Sequence, residues 1–252
     1  MDLKLKGKCA IVTGASRGIG AAIARMLAAE GVRVIVNYNG SQKGAEQTVS
    51  RICDAGGTAL AIQADIGIEA ECERLFESGE LAFSRVDILI NNAAVWFTNP
   101  VQDIPLAEWN RTLDVNLTSA FLLTKAFLKK NIADGKGGTI LNITSQAAFN
   151  GSTTGHAHYA ASKAGLVALT VSTAREAAKH GITVNAVALG MVYTDMVRKA
   201  VDENPEYYRQ RIPMGRLADG DDIAKIVTFM VSDAAAYMTG ATIDATGGML
   251  MR

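Results

Sequence analysis

The chain has 252 residues, of which 49% are hydrophobic and 20% charged, enough apolar material for one large α/β unit and no composition of a disordered or repetitive chain. Twenty-five Lys plus Arg balance twenty-five Asp plus Glu, so no long-range field draws in nucleic acid or an anionic membrane, and neither is expected as a partner. Cys9, Cys53 and Cys72 are dispersed without CxxC spacing, and residues 1–6 alternate rather than forming an apolar signal core; a disulfide scaffold is excluded and a soluble cytoplasmic protein is expected.

Along the chain, short apolar runs predict strands at 9–13, 32–37, 58–63, 86–90, 138–144, 182–187 and 241–244. They are continuously apolar rather than alternating, the pattern of strands covered on both faces. After the first strand comes Thr13-Gly14-Ala15-Ser16-Arg17-Gly18-Ile19-Gly20. Its glycines let the backbone turn tightly and approach a phosphate, and the helix that follows presents free N–H groups at its positive end. That helix is expected over 21–30, with Ile23 and Leu27 on one face and Gly31 as its stop. Further helices are expected at 42–55 and 70–80. Regular β-α alternation through residues 1–252 predicts a single doubly wound Rossmann-type domain, a seven-stranded parallel sheet with helices on both faces and right-handed crossovers.

Tyr159-Ala160-Ala161-Ser162-Lys163 opens a strongly helical stretch. The i, i+4 spacing puts the phenol and the ammonium on one helix face, and a neighbouring cation favours the ionised phenol, which brings a tyrosine into range for acid–base work. Between the sixth and seventh strands, residues 191–211 form an excursion rich in Met, Tyr and charge, expected to act as a lid over a ligand.

In this order, the turn at 13–20, the Asn91-Asn92-Ala93-Ala94 run, Asn116, Ser145 and the Tyr159/Lys163 pair resemble the short-chain dehydrogenase/reductases, most of all the branch that holds the 3-oxoacyl-carrier-protein reductases and related sugar, polyol and ketone enzymes. The resemblance spans the chain. It implies an NAD(P)-dependent oxidoreductase that interconverts a ketone or aldehyde and an alcohol, with Tyr159 as proton donor, Lys163 lowering its pKa and holding the nicotinamide ribose, Ser145 holding the substrate oxygen and Asn116 maintaining a water link from Lys163. Developing alkoxide charge needs two donors, which Ser145 and Tyr159 supply; Thr144, the rival hydroxyl, alternates to the other sheet face. Cofactor contacts are implied for Gly14, Ser16, Arg17, Gly18, Ile19, Gly20, Asp65, Ile66, Asn92, Ala93, Gly190, Val192 and Thr194, besides Tyr159 and Lys163. The chain departs from the family pattern at Leu189, in place of a proline, and at Ala94, in place of a glycine.

The second strand ends at the neutral Asn37, where an acidic residue would select NAD, and Arg17 offers a planar fork of donors to a 2′-phosphate. NADP(H) is therefore favoured, with NAD(H) accepted; Ser41 and Lys43 either add donors or cap and solvate the second helix. The substrate pocket is expected from 95–101, 146–158 and the lid, leaving a 3-oxoacyl thioester, a sugar or polyol, and a small ketone all open. His156 and His158 lack the partners a metal site needs and are expected to shape this pocket, with no metal. Trp96 and Phe97 line it or pack in the core, and Lys129 and Lys130 either greet an acidic carrier or solvate a helix end. Surplus apolar and small residues at 121–128, 160–178 and 248–251 predict a homotetramer. A cofactor-binding redox sensor without turnover is the competing reading; the intact Ser145, Tyr159, Lys163 and Asn116 set favours an enzyme.

Overall fold

Which face each strand residue takes explains why these runs assemble as they do. The computed structural model describes residues 2–194 and 197–251. Among them, β1 (Cys9–Val12), β2 (Arg33–Tyr38), β3 (Thr58–Gln63), β4 (Ile88–Asn91), β5 (Gly138–Ser145), β6 (Ile182–Leu189) and β7 (Thr242–Ala245) form one parallel sheet in the order β3-β2-β1-β4-β5-β6-β7. Successive side chains enter opposite layers: Ala10, Val12, Val34, Val36, Ile88 and Ile90 on one side, Ile11, Ile35 and Leu89 on the other. Helices α1 (Gly18–Ala29) and α2 (Gln42–Asp54) cover the first layer together with α10 (Gly220–Met230), through Ile23, Leu27, Ala45, Ile52, Ile223 and Val227. Helices α3 (Glu69–Phe83), α5 (Ser119–Ala133) and α7 (Ala157–Ala177) cover the second, through Leu75, Phe76, Leu123, Phe127, Ala174 and Ala177. The remaining helices are α4 (Leu106–Leu113), α6 (Ala147–Asn150), α8 (Arg198–Glu203) and α9 (Pro205–Gln210). None among the described residues is long and apolar enough to cross a membrane.

The sheet matches the expected architecture, with three local differences. β3 lies at the sheet edge and is not covered on both faces; Leu60 is 44% exposed there, because no further strand or helix lies beyond it to bury an otherwise apolar run. β5 and β6 run on to Ser145 and Leu189, since they pair residue for residue as far as Ser145↔Leu189. Between α4 and α5 the helix widens into a π-helical turn over Asp114–Thr118 instead of breaking. Gly31 stops α1 as expected, with φ +79° and its N–H on the Ala28 carbonyl at 2.9 Å.

A polar chain crosses the second layer. Asn91 Nδ2 donates to Asn142 Oδ1 at 2.8 Å, Asn142 Nδ2 to Thr170 Oγ1 at 2.9 Å, and the Thr170 hydroxyl to the Leu166 carbonyl at 2.8 Å. It joins β4, β5 and α7. The strand order reverses between β1 and β4, and the crevice outside the carboxyl ends there is where such sheets receive ligands.

Candidate active site

At that reversal the glycine-rich turn leaves β1 and is fixed to β4 by Thr13, whose hydroxyl donates to the Ile90 carbonyl (3.2 Å) and accepts from the N–H groups of Asn92 (2.9 Å) and Ala93 (3.0 Å). Gly14 and Gly18 have φ of +63° and +56°, the left-handed region that glycine enters without cost. A Cβ on Gly20 would collide with the Gly14 carbonyl and with Asn92. Arg17 stands at the N-cap of α1 without a side-chain cap bond, and no acidic residue occupies the first turn. The leading N–H groups and the positive helix end are thus left for an anion.

Two residues expected to touch the cofactor also brace this turn. Asn37 is 2% exposed; its Oδ1 accepts from Gly14 N–H at 3.2 Å, while Nδ2 faces the carbonyls of Ala64 (3.2 Å), Ile62 (3.4 Å) and Tyr38 (3.4 Å). Its amide joins β1, β2 and β3, and Tyr38–Ser41 are the residues that follow it along the cleft wall. Asn92 Nδ2 is likewise turned to the Thr13 carbonyl at 2.8 Å. Asp65 holds Arg111 by both carboxylate oxygens at 2.9 Å. Burial pushes the Asp65 carboxyl up, but the Arg111 hydrogen bond and the Gly67 N–H outweigh it and hold its pKa below the ordinary carboxylate range. Arg111 was not legible as a site residue. The only sequence trace is Gly67, where a Cβ would collide with the guanidinium.

On the other side of the reversal, β5 delivers Ser145 as its last residue. Its Oγ accepts the Ala147 N–H at 3.2 Å and hydrogen-bonds Tyr159. Thr144 points away, as alternation requires, its hydroxyl donating to the Lys163 carbonyl at 2.9 Å. One turn of α7 separates Tyr159 from Lys163, whose Nζ sits 5.8 Å from the phenol ring centre and donates to the Ile143 carbonyl at 2.8 Å. Burial presses the Lys163 ammonium down to about 8. Contrary to the expected lowering by Lys163, burial raises the Tyr159 pKa, with Ser145 pulling the other way; desolvation outweighs the cation here. Asn116 lies in the π-helical turn, 2% exposed. Its amide bridges the Val95 backbone (2.8 and 3.0 Å) and Ser162 Oγ (3.1 Å), which in turn donates to the Tyr159 carbonyl at 2.7 Å.

These groups share one cleft of about 1190 Å³. It is lined by Ser145, Tyr159 and Lys163 and by every expected cofactor residue: Gly14, Ser16, Arg17, Gly18, Ile19, Gly20, Asn37, Asp65, Ile66, Asn92, Ala93, Gly190, Val192 and Thr194. Asn116 stands behind the wall. Ser41 lines the cleft and Lys43 does not. From the expected lid, Met191, Val192, Thr194, Val197 and Arg211 reach it, while Asp195 and Met196 lie outside the described residues. Trp96 lines it too, stacked on His156 at 4.1 Å.

The expectation that His156, His158 and Phe97 line the pocket is corrected. His156 Nδ1 meets the Phe97 carbonyl at 2.8 Å, so the histidine backs Trp96. His158 is fully buried behind α7, 3.2 Å from Glu108 on α4 but not in line for a hydrogen bond. Helical periodicity turns it away from the face that carries Tyr159 and Lys163. Lys130 is engaged by Asp134 (2.9 Å) and Glu80 (3.6 Å), which favours the solvated-helix-end reading.

A parallel sheet with this strand order, a glycine-rich turn at the reversal and a serine–tyrosine–lysine group across the same cleft define a short-chain dehydrogenase/reductase, and the chain belongs to that family. It is an oxidoreductase acting on CH–OH and C=O groups. The family model described as enoyl-(acyl carrier protein) reductase matches residues 14–250. A 3-oxoacyl-[acyl-carrier-protein] reductase of Synechocystis sp. is 42% identical over 248 residues, covering 98% of either chain. Among solved structures, a candidate NAD(P)-dependent gluconate 5-dehydrogenase of Beutenbergia cavernae with bound NADP is 36% identical with a TM-score of 0.92, covering 99% of each chain. A candidate 2-deoxy-D-gluconate 3-dehydrogenase of Agrobacterium tumefaciens with bound NADP is 34% identical with a TM-score of 0.90, covering 100% of this chain and 99% of the other.

Proposed function

We propose that the chain is an NADP(H)-favouring carbonyl reductase/alcohol dehydrogenase in which Ser145 and Tyr159 act on the substrate oxygen and Lys163 supports them. The observation that carries this reading is the Ser145–Tyr159 hydrogen bond set beside a buried Lys163 in a cleft that continues to the uncapped N-terminus of α1. The cleft has the size of a dinucleotide plus a small substrate, and its residues fit one: Arg17 and the α1 N-terminus for phosphates, Tyr159 and Lys163 for the nicotinamide ribose. Such a cofactor, when bound, supplies the hydride. Ser145 then donates to the carbonyl oxygen and holds it, and Tyr159 transfers its proton to that oxygen as negative charge develops. A phenol kept protonated by burial suits the donor role in reduction. Lys163, anchored on Ile143, keeps a positive charge below the phenol, and Asn116 fixes the start of α7 through Ser162.

Residues 191–211 act as the lid. A cytoplasmic homotetramer is the assembly this reading favours, built on faces such as that of Phe121, 48% exposed on α5; light scattering at micromolar concentration reads its mass, and a stable monomer overturns it. The experiment for the reaction is a spectrophotometric screen of NADPH and NADH oxidation against ketoacyl thioesters, keto sugars and their acids, cyclic ketones and aldehydes. Cofactor binding without turnover across the whole panel would instead support the redox sensor.

A further inference from the structure

The charges on the cleft wall leave one cation without a task. Four basic side chains line it, Arg17, Arg111, Lys163 and Arg211, against a single acid, Asp65. Asp65 neutralises Arg111, and Lys163 rests on the Ile143 carbonyl beside Tyr159. Arg17 belongs to the turn after β1. Arg211 follows α9, in the excursion that leaves β6, so the sheet puts β4 and β5 between the two. It therefore flanks Ser145 from the side opposite to the glycine-rich turn. Arg211 is exposed, and its contacts are with its own helix: Nη1 donates to the Tyr207 hydroxyl, and the guanidinium lies 5.1 Å from that ring's centre. No carboxylate pairs with it among the described residues, so its planar fork of donors is free to take an anion.

The wall between Arg211 and Tyr159 is polar as well. Gln146, Ser152 and Thr153 line it, and Gln146 Oε1 is buried with no hydrogen-bond partner among the described residues. An alkyl chain packed there would leave these dipoles unpaired, which a binding site tolerates poorly. A hydroxylated chain would satisfy them.

We propose that the substrate is a short hydroxylated keto acid, or the matching hydroxy acid in the reverse direction, whose carboxylate is received by Arg211 and whose hydroxyls meet Gln146 and Ser152. This rests on the reductase reading above and narrows it to one substrate class. Arg211 is then a specificity-determining residue and takes no part in proton transfer.

The test compares kcat/KM with NADPH for 5-ketogluconate, its neutral counterpart fructose, and the neutral acetoacetyl-N-acetylcysteamine thioester, in the parent, Arg211→Met and Arg211→Lys. The parent should prefer the keto acid. Arg211→Met should lower the keto acid to fructose ratio about 10- to 100-fold, the scale of losing a charge-assisted hydrogen-bonded pair, and the loss should lie in KM for the keto acid. Arg211→Lys should recover part of it, and 0.5 M NaCl should shrink the parent's preference, because the site is open to screening. A parent that prefers the thioester or fructose overturns the proposal and leaves the reductase standing. So does an Arg211→Met variant whose change falls on KM for NADPH, since Arg211 would then serve the cofactor. If no arm consumes NADPH in the parent, the reductase reading itself fails.

Discussion

Replacing Asn37 by Asp looks from sequence like a switch of cofactor preference, and the structure gives it another outcome. The Asn37 amide is 2% exposed and works in both directions: Oδ1 accepts from Gly14, while Nδ2 donates towards the Ala64, Ile62 and Tyr38 carbonyls. An aspartate keeps the acceptor and turns an oxygen towards three carbonyl oxygens. One buried polar group left unpaired costs about 1–3 kcal/mol, more if charged, so Asn37→Asp should cost about 2–4 kcal/mol. At roughly 2–4 °C per kcal/mol for a chain of this size, the thermal midpoint should fall by about 5–15 °C. Those carbonyls disfavour the carboxylate, so its pKa should rise on folding, and the sign follows: the deficit grows from pH 5 to pH 8 and shrinks again as the group is protonated. Gly14 loses its brace, so KM should rise for NADPH and NADH alike. Differential scanning calorimetry at the two pH values, with KM for each cofactor, checks all of this. A variant within about 2 °C of the parent that gains activity with NADH alone would refute the reasoning, and would put Asn37 back in contact with the adenosine ribose.

Three further outcomes are expected. Tyr159→Phe, which removes only a hydroxyl from the cleft wall, should keep cofactor affinity by fluorescence titration and lower turnover about 10²-fold or more; activity within a few-fold of the parent would strip Tyr159 of its role. Lys163 has its pKa depressed from 10.5 to about 8 by burial, so kcat/KM for NADPH, which reports the free enzyme, should fall as pH rises past about 8 and the cation is lost. Stability should move the opposite way, because the folded chain binds this proton less tightly than the unfolded one: it rises from about pH 8 towards 10 and is lower below 8; an activity profile flat to pH 9.5 counts against the assignment. Arg17→Ala should raise KM for NADPH far more than for NADH, and an equal rise for both would remove Arg17 from 2′-phosphate recognition.

What the sequence made legible is what short spacings dictate. Strand, glycine turn and helix in succession fix the cofactor end, and an i, i+4 pair fixes Tyr159 against Lys163, so both could be read before any packing was known. Edge position is a property of the whole sheet, and nothing in residues 58–63 says that β3 has no outer neighbour. The π-helical turn at Asp114–Thr118 differs from an α-helix by one residue per turn, too small a change to register in apolar periodicity over five residues. Arg111 and Asp65 lie 46 positions apart and meet only because α4 packs over the end of β3. His158 sits next to Tyr159 in sequence, yet a helix sends neighbours some 100° apart, into Glu108 in one case and onto the cleft in the other.

The asparagine chain from Asn91 through Asn142 to Thr170 has a consequence for how the sheet finds its alignment. Strands that are apolar on both faces carry little information about register, since a shift by two residues would again set apolar side chains against apolar layers. Asn91 and Asn142 are direct partners across β4 and β5. A two-residue slip would part them and leave buried amides facing alkyl groups, a penalty of about 1–3 kcal/mol for each unpaired group. Parallel pairing is non-local and slow to form, so misaligned pairings have time to accumulate unless something rejects them. These amides act as a proofreading mark for the central strands, and the alignment they enforce sets the height at which Ser145 emerges opposite Tyr159.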